Sequence, residues 1–221
     1  MLTLRTVRYN YQTKAEPVEA LRGVTAAFGP GKMYAVVVSS GSGKTTLLSL
    51  LAGLDVPTAG EICWQNVKTT ELDRDRFRFD HISVIYQNFN LFAHLTALEN
   101  VAYPLYLRGI SRREAEAVAA ECLRDVGITE DKQKRLPSLL SGGEQQRVAV
   151  ARAFASKAEL ILADEPTGNL DITNGDQVVS ILLRLAHEEG RCVIIVTHDL
   201  EIAGQADQIY MMRNGEMETD A

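Results

Sequence analysis

The stretch AVVVSSGSGKTTLLSLLAGL, residues 35–54, contains a glycine-rich turn that ends in a lysine and a threonine. In the phosphate-binding pattern G-x-x-x-x-G-K-[ST], the backbone N–H groups of such a turn converge on phosphate oxygens at the positive end of the following helix. Gly43, Lys44 and Thr45 supply the end of this pattern, whereas Val38 stands in place of its first glycine. The residue types therefore predict a phosphate site that departs from the pattern at one position.

Each group in this turn would make a different contact with a triphosphate and its bound Mg²⁺. Glycines let the backbone come close, the Lys44 ammonium would neutralise the β- and γ-phosphates, and the Thr45 hydroxyl would ligate Mg²⁺. The predicted nucleotide-binding residues of the turn are Ser39, Ser40, Gly41, Ser42, Gly43, Lys44, Thr45 and Thr46.

Val38 leaves two interpretations open. If the chain needs a positive φ at this position, a β-branched residue costs about 1–3 kcal/mol. If Val38 keeps the dihedral angles of a strand, the cost is the space that its side chain needs. The groups that contact phosphate lie downstream of it in both cases. We therefore expect nucleotide binding, with a rate of hydrolysis that the valine could reduce.

Two adjacent carboxylates end an apolar stretch in the second half of the chain. The sequence ELILADEP predicts a buried strand that finishes at Asp164 and Glu165. Buried strands seldom end in paired acids that have no use, because charged side chains are costly to bury. Asp164 would hold the hydration shell of Mg²⁺, and Glu165 would orient and deprotonate an attacking water. The pair therefore predicts metal-assisted hydrolysis.

Three further polar segments stand at predicted strand ends or helix starts. In LLSGGEQQRVAVARA, Ser141 and Glu144 have the spacing of a capping box, and the two glycines between them expose N–H groups that can bind an anion. His198 follows the apolar stretch CVIIVT, and Gln87 follows ISVIY. Ligands of α/β proteins bind at the carboxyl ends of strands. A lone histidine or glutamine at such a position is more often structural than functional. We therefore interpret His198 and Gln87 as functional only together with the other motifs.

The elements that must position these residues alternate between strands and helices. Apolar, β-branched stretches predict strands at 2–11, 18–28, 33–38, 60–69, 81–87, 160–164 and 192–199, and a closing hairpin at 214–215. Helical spacing predicts helices at 44–53, 111–127, 144–156 and 175–190, and the stretch 95–140 is mostly helical. Such alternation predicts an α/β fold with a mainly parallel, doubly wound sheet.

Composition narrows the class of protein. With 221 residues, 46% hydrophobic and 24% charged, the chain fits one globular domain. Its net charge of -6 and pI near 5.3 disfavour a nucleic-acid partner, whose binding surface is normally basic. Cys63, Cys122 and Cys192 lack C-x-x-C spacing, which indicates buried thiols in a reducing compartment. Without a signal-peptide pattern or an apolar run of ~18 residues, work at a membrane would need a separate membrane-spanning chain.

The order of the motifs resembles one known family. GSGKTT, YQ, LSGGE, LADEPTGNLD and VTHD follow one another as in the nucleotide-binding subunits of ABC transporters, over essentially the whole chain. The stretch NLFAHLTALENVAYPLYLRG and the short C-terminus are most similar to the branch of lipoprotein-release, macrolide-export and antimicrobial-peptide-resistance ATPases, which pair with FtsX-like permeases. The resemblance implies a P-loop NTPase core, an N-terminal antiparallel β subdomain and a helical subdomain. It implies one domain over 1–221, with the core at about 1–88 and 141–221 and the helical subdomain at about 89–140.

The resemblance also implies roles by position. Tyr11 matches the aromatic residue that stacks on adenine, with Tyr9 as the nearby competitor. Glu165 matches the catalytic carboxylate, and His198 matches the histidine near the γ-phosphate. Gln87 matches the glutamine that senses Mg²⁺ and the attacking water and links them to the permease.

Two segments are expected to act across a dimer. The signature segment, residues 141–144, matches the part that closes over the γ-phosphate of the opposite subunit. The coupling loop, residues 168–171, matches the loop that joins the two sites. Their members are Ser141, Gly142, Gly143 and Glu144, and Gly168, Asn169, Leu170 and Asp171. The implied magnesium ligands are Thr45, Gln87 and Asp164.

These features predict the ATP-binding and hydrolysing motor subunit of an ABC transporter. Two copies would dimerise around two MgATP on the cytoplasmic face of the membrane and drive a separate permease. In the alternative, Val38 weakens hydrolysis and ATP binding acts as a regulatory switch that signals to a membrane partner. A third class, the DNA-repair and chromosome-organising ATPases, carries a long coiled-coil insertion that this sequence lacks.

Overall fold

Ten strands form two sheets in the computed structural model, which describes residues 1–12, 18–39 and 41–219. The strands are β1 (Leu2–Tyr11), β2 (Val18–Phe28), β3 (Lys32–Val38), β4 (Ala59–Trp64), β5 (Val67–Lys68), β6 (Ile82–Ile85), β7 (Leu160–Asp164), β8 (Cys192–Thr197), β9 (Gln208–Arg213) and β10 (Glu216–Thr219). The smaller sheet is antiparallel and has the order β2-β1-β4-β5. The larger sheet has the order β10-β9-β3-β8-β7-β6 and is parallel except for β10.

The helices connect these strands. They are α1 (Lys44–Leu51), α2 (Arg74–His81), α3 (Ala97–Leu107), α4 (Arg112–Asp125), α5 (Glu130–Gln133), α6 (Gly142–Ala155), α7 (Ile172–His187) and α8 (Leu200–Ala203), with a short 3-10 turn at Pro137–Leu139. Within the described ranges, no helix combines the length and the apolarity that crossing a bilayer requires.

The central strands of the larger sheet are apolar along their length because both faces of the sheet are covered. On one face, Val36 of β3 belongs to a buried cluster with Leu47 of α1 and Leu4 of β1. On the other face, Ala35 belongs to a cluster with Val150 of α6 and with buried residues of α3, α4 and α7. The sheet thus separates two cores, and the polar residues of the motifs lie at the carboxyl ends of its strands.

The predicted fold class is confirmed: a mainly parallel sheet, a separate antiparallel sheet and a set of helices are present. The closing hairpin is also confirmed, because Arg213 pairs with Glu216. Between them, Asn214 and Gly215 have φ of 50° and 80°. The division of the chain near residues 88 and 141 stays a prediction.

One predicted strand is wrong. The stretch 60–69 folds as a hairpin of β4 and β5, in which Trp64 pairs with Val67. Gln65 and Asn66, in the turn, have φ of 49° and 69°. Two successive left-handed residues make a turn whose twist matches that of a hairpin, so the chain reverses where a continuous strand was expected.

Helix α2 has no counterpart among the predicted helices. Its sequence RDRFRFDH is mostly charged and buries only Phe77, so it lacks a clear apolar face. The carboxylate of Asp73 accepts two backbone N–H bonds of the first turn, and this cap starts the helix. In the same way, Asp171 accepts the N–H of Asn174 at 2.9 Å, so α7 begins at residue 172 rather than at 175.

Helices α3 and α4 lie in the stretch 95–140 that was predicted to be helical. Helix α3 begins with a full capping box, in which Thr96 accepts the N–H of Glu99 and the Glu99 carboxylate accepts the N–H of Thr96. At α4 only half of such a box forms, with Ser111 accepting the N–H of Glu114. Both helices pack on α6, so they hold the helix that carries the signature segment.

Candidate functional site

The phosphate-binding pattern lies where β3 ends and α1 begins. Val38 is the last residue of β3, pairs with Met212 of β9 and is 7% exposed. Its φ is negative, as in the rest of the strand. The left-handed interpretation of this position is therefore wrong, and the valine needs only the space for its side chain. Ser40, one of the predicted nucleotide-binding residues, lies outside the described residues.

Gly41 and Gly43 form the corners of the turn, with φ of 75° and 97°. The N–H of Ser42 donates to the carbonyl of Ser39 at 3.1 Å. Gly43 also lies against β2, because a Cβ at this position would stand 2.6 Å from the carbonyl oxygen of Ala20. Both the positive φ and the close approach require glycine here. The turn leads directly into α1.

Lys44 faces the two carboxylates that follow in β7. Its Nζ lies 3.0 Å from Asp164 Oδ1 and 3.6 Å from Glu165 Oε1. The contact with Asp164 has the distance of an ion pair but not the direction of a hydrogen bond, since Oδ1 has no hydrogen-bond partner among the described residues. The structure therefore brings together the phosphate-binding lysine and the paired acids that two separate motifs predicted.

Glu165 is buried, and three contacts hold it in place. Its N–H donates to Val196 O at 2.8 Å, and the Thr197 hydroxyl donates to Oε2 at 3.3 Å. His198 Nδ1 lies 2.9 Å from Oε1, and Nδ1 carries the proton because an ionised carboxylate only accepts hydrogen bonds. Glu165 has a φ of 45°, an uncommon conformation for a non-glycine residue that clusters at active sites.

The contact with Glu165 changes the proton affinity of His198. The hydrogen bond to Glu165, and then the negative charge of that residue, raise the pKa of His198, whereas desolvation and the charge of Lys44 lower it by less. The imidazole side chain is 72% exposed, so the contact adds little to the folding free energy. Because Nδ1–H donates to Glu165, the imidazole orients this carboxylate.

An open cleft of about 950 Å³ adjoins the phosphate-binding turn and the Glu165–His198 pair. Tyr11 lines it with a ring that is 45% exposed, and its hydroxyl lies 3.0 Å from Thr46 Oγ1. Among the described residues, Tyr9 is not part of the lining. The hydroxyl of Tyr9 donates to Asp55, which raises the pKa of Tyr9 to about 12. The geometry favours Tyr11 over Tyr9 for contact with a base.

Part of the cleft wall comes from segments that sequence reasoning missed. Glu19, Ala20 and Arg22 of β2 line the cleft together with Asn214 and Gly215 of the closing hairpin. The N–H of Arg22 donates to Gly215 O at 2.8 Å and joins the two segments. No motif marks this contact, because it joins parts of the chain that are far apart in sequence.

The predicted magnesium ligands fit the chemistry of that ion. Thr45 offers a hydroxyl, Gln87 an amide oxygen and Asp164 a carboxylate, and Mg²⁺ takes oxygen ligands of these kinds. In the described part of the chain, Asp164 Oδ1 accepts no hydrogen bond and faces the Lys44 ammonium at 3.0 Å, so this oxygen could contact a metal ion if Lys44 moves to phosphate. Thr45 is exposed at the start of α1.

Gln87 lies beside the coupling loop. The amide of Asn169 donates to Gln87 O at 3.0 Å. A Cβ at Gly168 would stand 3.0 Å from Gln87 Nε2 and 3.5 Å from Glu165 Cβ. Because β6 and β7 are parallel neighbours, the residues that follow them meet at the same edge of the sheet. Gln87, Glu165 and the coupling loop therefore form one group.

The signature segment forms the start of α6. Ser141 accepts the N–H of Glu144 at 3.3 Å, and Glu144 accepts the N–H of Ser141 at 2.8 Å, which confirms the predicted capping box. The hydrogen bond from Lys132, at 2.7 Å, and those from Ser141 lower the pKa of Glu144. Gly143 lies against α7, since a Cβ there would stand 2.7 Å from Asn174 Cγ.

The signature segment does not line the cleft of its own chain. Among the described residues around the cleft, none comes from the signature segment or from the coupling loop. Instead, a Cβ at Gly142 would stand 3.7 Å from Phe89 Cζ and 3.9 Å from Asn169 O. The two segments expected to act across a dimer thus lie next to each other, outside the cleft.

Comparisons with known proteins point to one family. The family model described as ABC transporter matches residues 21–168, well over half of the chain. MJ0796, an ABC transporter ATP-binding protein of Methanocaldococcus jannaschii, is 40% identical over 226 residues, which cover 100% of this chain and 96% of that protein. YclH, an ABC transporter ATP-binding protein of Bacillus subtilis, is 40% identical over 207 residues, covering 94% and 91%.

A solved structure and a longer relative extend this likeness. The dimeric structure of a post-hydrolysis state of MJ0796 bound to ADP and Pi matches with a TM-score of 0.91 and 38% identity, covering 99% of this chain and 98% of that one. The macrolide export ATP-binding/permease protein MacB of Escherichia coli is 41% identical over 220 residues. That match covers 98% of this chain and 34% of MacB, so the chain spans about a third of that relative.

Proposed function

Because the chain belongs to the ATP-binding proteins of ABC transporters, we propose that it is the motor subunit of such a transporter. Two copies bind two MgATP between them, and hydrolysis drives a separate membrane permease. The observation that carries this proposal is the place of the signature segment, which lies outside the cleft of its own chain. A second copy can bring its signature segment to each cleft and complete two sites.

The likeness to MJ0796 supports two parts of the proposal, the dimer and the hydrolysis of ATP. That protein is dimeric and holds ADP and Pi, which are the products of ATP hydrolysis. Its fold matches this chain over nearly the full length of both. The same arrangement of two clefts and two signature segments is therefore the simplest assembly for this chain.

The residues around Glu165 divide the chemical work. Lys44 leaves its two carboxylate partners and neutralises the β- and γ-phosphates. Glu165, which Thr197 and His198 hold in place, accepts the proton of the attacking water. Glycine-rich backbone at the turn accommodates the phosphates without side-chain hindrance.

Mg²⁺ would be held by Thr45, Gln87 and Asp164, and it supplies further neutralisation of phosphate charge when bound. Gln87 also touches the coupling loop through the amide of Asn169. A change at the γ-phosphate that displaces Gln87 would therefore also displace the coupling loop and the segment that follows Gln87. Loss of that phosphate removes a group that both subunits hold, so the dimer opens.

A groove of about 340 Å³ between α2, α3 and α6 suits the docking of a permease. We name it the docking groove. Three of its residues, Phe92, Tyr103 and Leu107, are 46%, 36% and 57% exposed. An exposed apolar patch of this kind marks a protein-interaction surface. The groove lies close to the segment that follows Gln87, so an occupant could act on the nucleotide site.

The expected permease is FtsX-like, and the chain would sit on the cytoplasmic face of the membrane through it. The likeness to MacB supports a permease partner, because the name of that relative joins an ATP-binding part and a permease in one protein.

The proposal predicts that Glu165→Gln traps a dimer. Without the carboxylate that accepts the proton, ATP stays intact between the subunits and holds them together. Light scattering after size exclusion should show a monomer in buffer and a dimer in saturating MgATP. The double variant Glu165→Gln, Lys44→Ala is the control, and it should remain monomeric. A Glu165→Gln chain that binds MgATP but stays monomeric would reject the two-site assembly.

The regulatory alternative depends on Val38, whose side chain lines the cleft. If it crowds the nucleotide, Val38→Gly should raise the turnover number by about tenfold, since a 1.4 kcal/mol change in barrier has that effect. Because Val38 has the backbone of a strand, we expect instead a change of no more than about threefold, less than 1 kcal/mol. Steady-state ATPase rates of the two chains at saturating MgATP decide between these outcomes. A large gain would favour the switch.

A further inference from the structure

The segment that follows Gln87 has an unusual backbone. Phe89 and Asn90 have φ of 61° and 46°, in the left-handed region. Asparagine visits this region readily, but a bulky residue such as phenylalanine rarely does. Two such residues in succession persist when the surroundings hold them in place.

Arg152 of α6 supplies that support. Its Nη1 donates to Asn90 O at 2.8 Å, and its Nη2 donates to Phe89 O at 3.1 Å. A guanidinium can hold two acceptors at once because its donors form a rigid planar fork. Within the described residues Arg152 makes no ion pair, so these carbonyls are the acceptors it serves. Arg152 is half-buried, and this burial lowers the pKa of its guanidinium.

The same short segment touches α6 at the other end of the helix. The ring of Phe89 lies over the signature segment, because a Cβ at Gly142 would stand 3.7 Å from Phe89 Cζ. The amide of Asn169 holds the carbonyl of Gln87 at 3.0 Å. Residues 87–90 are thus bound to α6 on one side and to the coupling loop on the other.

Arg152 also lines the docking groove, together with Tyr86 and Phe92. The groove, the segment after Gln87 and the signature helix therefore meet at one side chain. Any molecule that enters the groove would contact the residue that holds this backbone in place.

We propose that Arg152 is a positioning residue that makes α6 and residues 87–90 move as one unit. The orientation of the signature segment then follows the position of Gln87 and the occupant of the docking groove. This inference rests on the proposed function, because it concerns how the signature segment reaches the cleft of a second copy. Arg152 itself does not touch nucleotide; it acts through the backbone that it holds.

A purely structural role for Arg152 is the competing explanation, and the chain offers a matched control. Arg191 donates to the carbonyls of Ala153 and Phe154 at 3.2 Å and 3.1 Å, and these two residues directly follow Arg152 at the carboxyl end of α6. It is buried, whereas Arg152 is half-buried, and it lines a different pocket that contains neither Gln87 nor the signature segment among the described residues. Removing either arginine breaks two hydrogen bonds to backbone carbonyls of or near α6. Removing Arg191 also breaks a 3.8 Å ion pair with Glu189, which is half exposed, so this pair adds little stability.

The test compares Arg152→Met with Arg191→Met, each alone and in the Glu165→Gln background. We expect similar losses of melting temperature from both. Only Arg152→Met should lower kcat, by about tenfold, with KM for MgATP changed by less than about threefold, because nucleotide contacts remain while the signature segment is misplaced. Only Arg152→Met should weaken MgATP-dependent dimerisation of the Glu165→Gln chain.

Amide hydrogen exchange supplies a readout that needs no activity. Exchange across residues 86–92 should become faster in Arg152→Met and stay unchanged in Arg191→Met. Arg152→Lys, which keeps the charge and one donor, should fall between wild type and Arg152→Met and covers the case in which the methionine variant fails to fold. The inference is overturned if Arg152→Met and Arg191→Met have the same kcat and the same exchange. A wild-type chain that neither hydrolyses ATP nor pairs would instead reject the proposed function.

Discussion

Glu165 shows how single residues of the site are held in place. Its N–H bonds Val196, and its two carboxylate oxygens contact Thr197 and His198. These contacts maintain a left-handed backbone that a glutamate would not adopt alone. Because the buried carboxylate contacts the exposed imidazole, a substitution at Glu165 should change the pKa of His198.

The raised pKa of His198 leads to a pH prediction. Glu165→Gln should lower the pKa of His198, because the hydrogen bond and charge of Glu165 are its main causes. Asp199→Asn should lower it by less, since Asp199 is a smaller cause. A folded-state pKa above 6.5 means that the contact stabilises the protein at acid pH, and that this small contribution disappears as the pH rises through the raised pKa. NMR titration of the His198 ring measures both shifts, and an unchanged pKa in Glu165→Gln would contradict the assigned contact.

Among the elements, α3 and α6 begin with the same kind of cap, but only the cap of α6 is also expected to contact a second subunit. Each has a complete capping box, formed by Thr96 and Glu99 in α3 and by Ser141 and Glu144 in α6. The box supplies hydrogen-bond acceptors for backbone N–H groups at the start of the helix, which have no partner within the helix itself. In α6 the same residues are the signature segment, so local stability and the proposed interface depend on one serine.

The matched boxes allow the two roles of Ser141 to be separated. Ser141→Ala and Thr96→Ala should each lower the free energy of unfolding by about 1 kcal/mol, the usual cost of losing a cap. Only Ser141→Ala should weaken MgATP-dependent dimerisation of the Glu165→Gln chain. Urea unfolding gives the first quantity, and light scattering over a range of protein concentrations gives the second. Equal dimerisation in the two variants would reduce Ser141 to a helix cap.

In the molecule as a whole, the larger sheet has a core on each face and the nucleotide site at the carboxyl ends of its central strands. The docking groove lies on the helical side, and the smaller sheet lies on the other. The site and the groove are linked through the segment after Gln87, which Arg152 and Asn169 bind. Under the proposed function, a partner in the groove would respond to the nucleotide without reaching it.

The groove is tested by placing a charge in it. Leu107 is 57% exposed in the groove, and Leu54 is 54% exposed elsewhere, so Leu107→Asp and Leu54→Asp form a matched pair. Leu107→Asp should reduce co-sedimentation with inverted membrane vesicles of the native source cell by about tenfold, the effect of losing 1.4 kcal/mol of binding. Leu54→Asp should leave it unchanged, and both should still dimerise with MgATP in the Glu165→Gln background. Equal sedimentation of the two variants would place the contact elsewhere.

Taken by itself, the sequence determined the parts that depend on neighbours in the chain. The turn of Gly41 and Gly43, the acids that end β7 and the cap at Ser141 arise from residues a few positions apart, so local spacing predicts them. The same reasoning missed α2, whose charged sequence hides its periodicity, and joined the hairpin around Asn66 into one strand.

Only the tertiary structure decided which of these parts meet. It paired Val38 with Met212, built a wall of the cleft from Arg22 and Gly215, and put the signature segment outside that cleft. It also joined Arg152 to Asn90, two residues that are 62 positions apart. Contacts of this kind depend on how whole elements pack against one another, and no spacing within the chain records that packing.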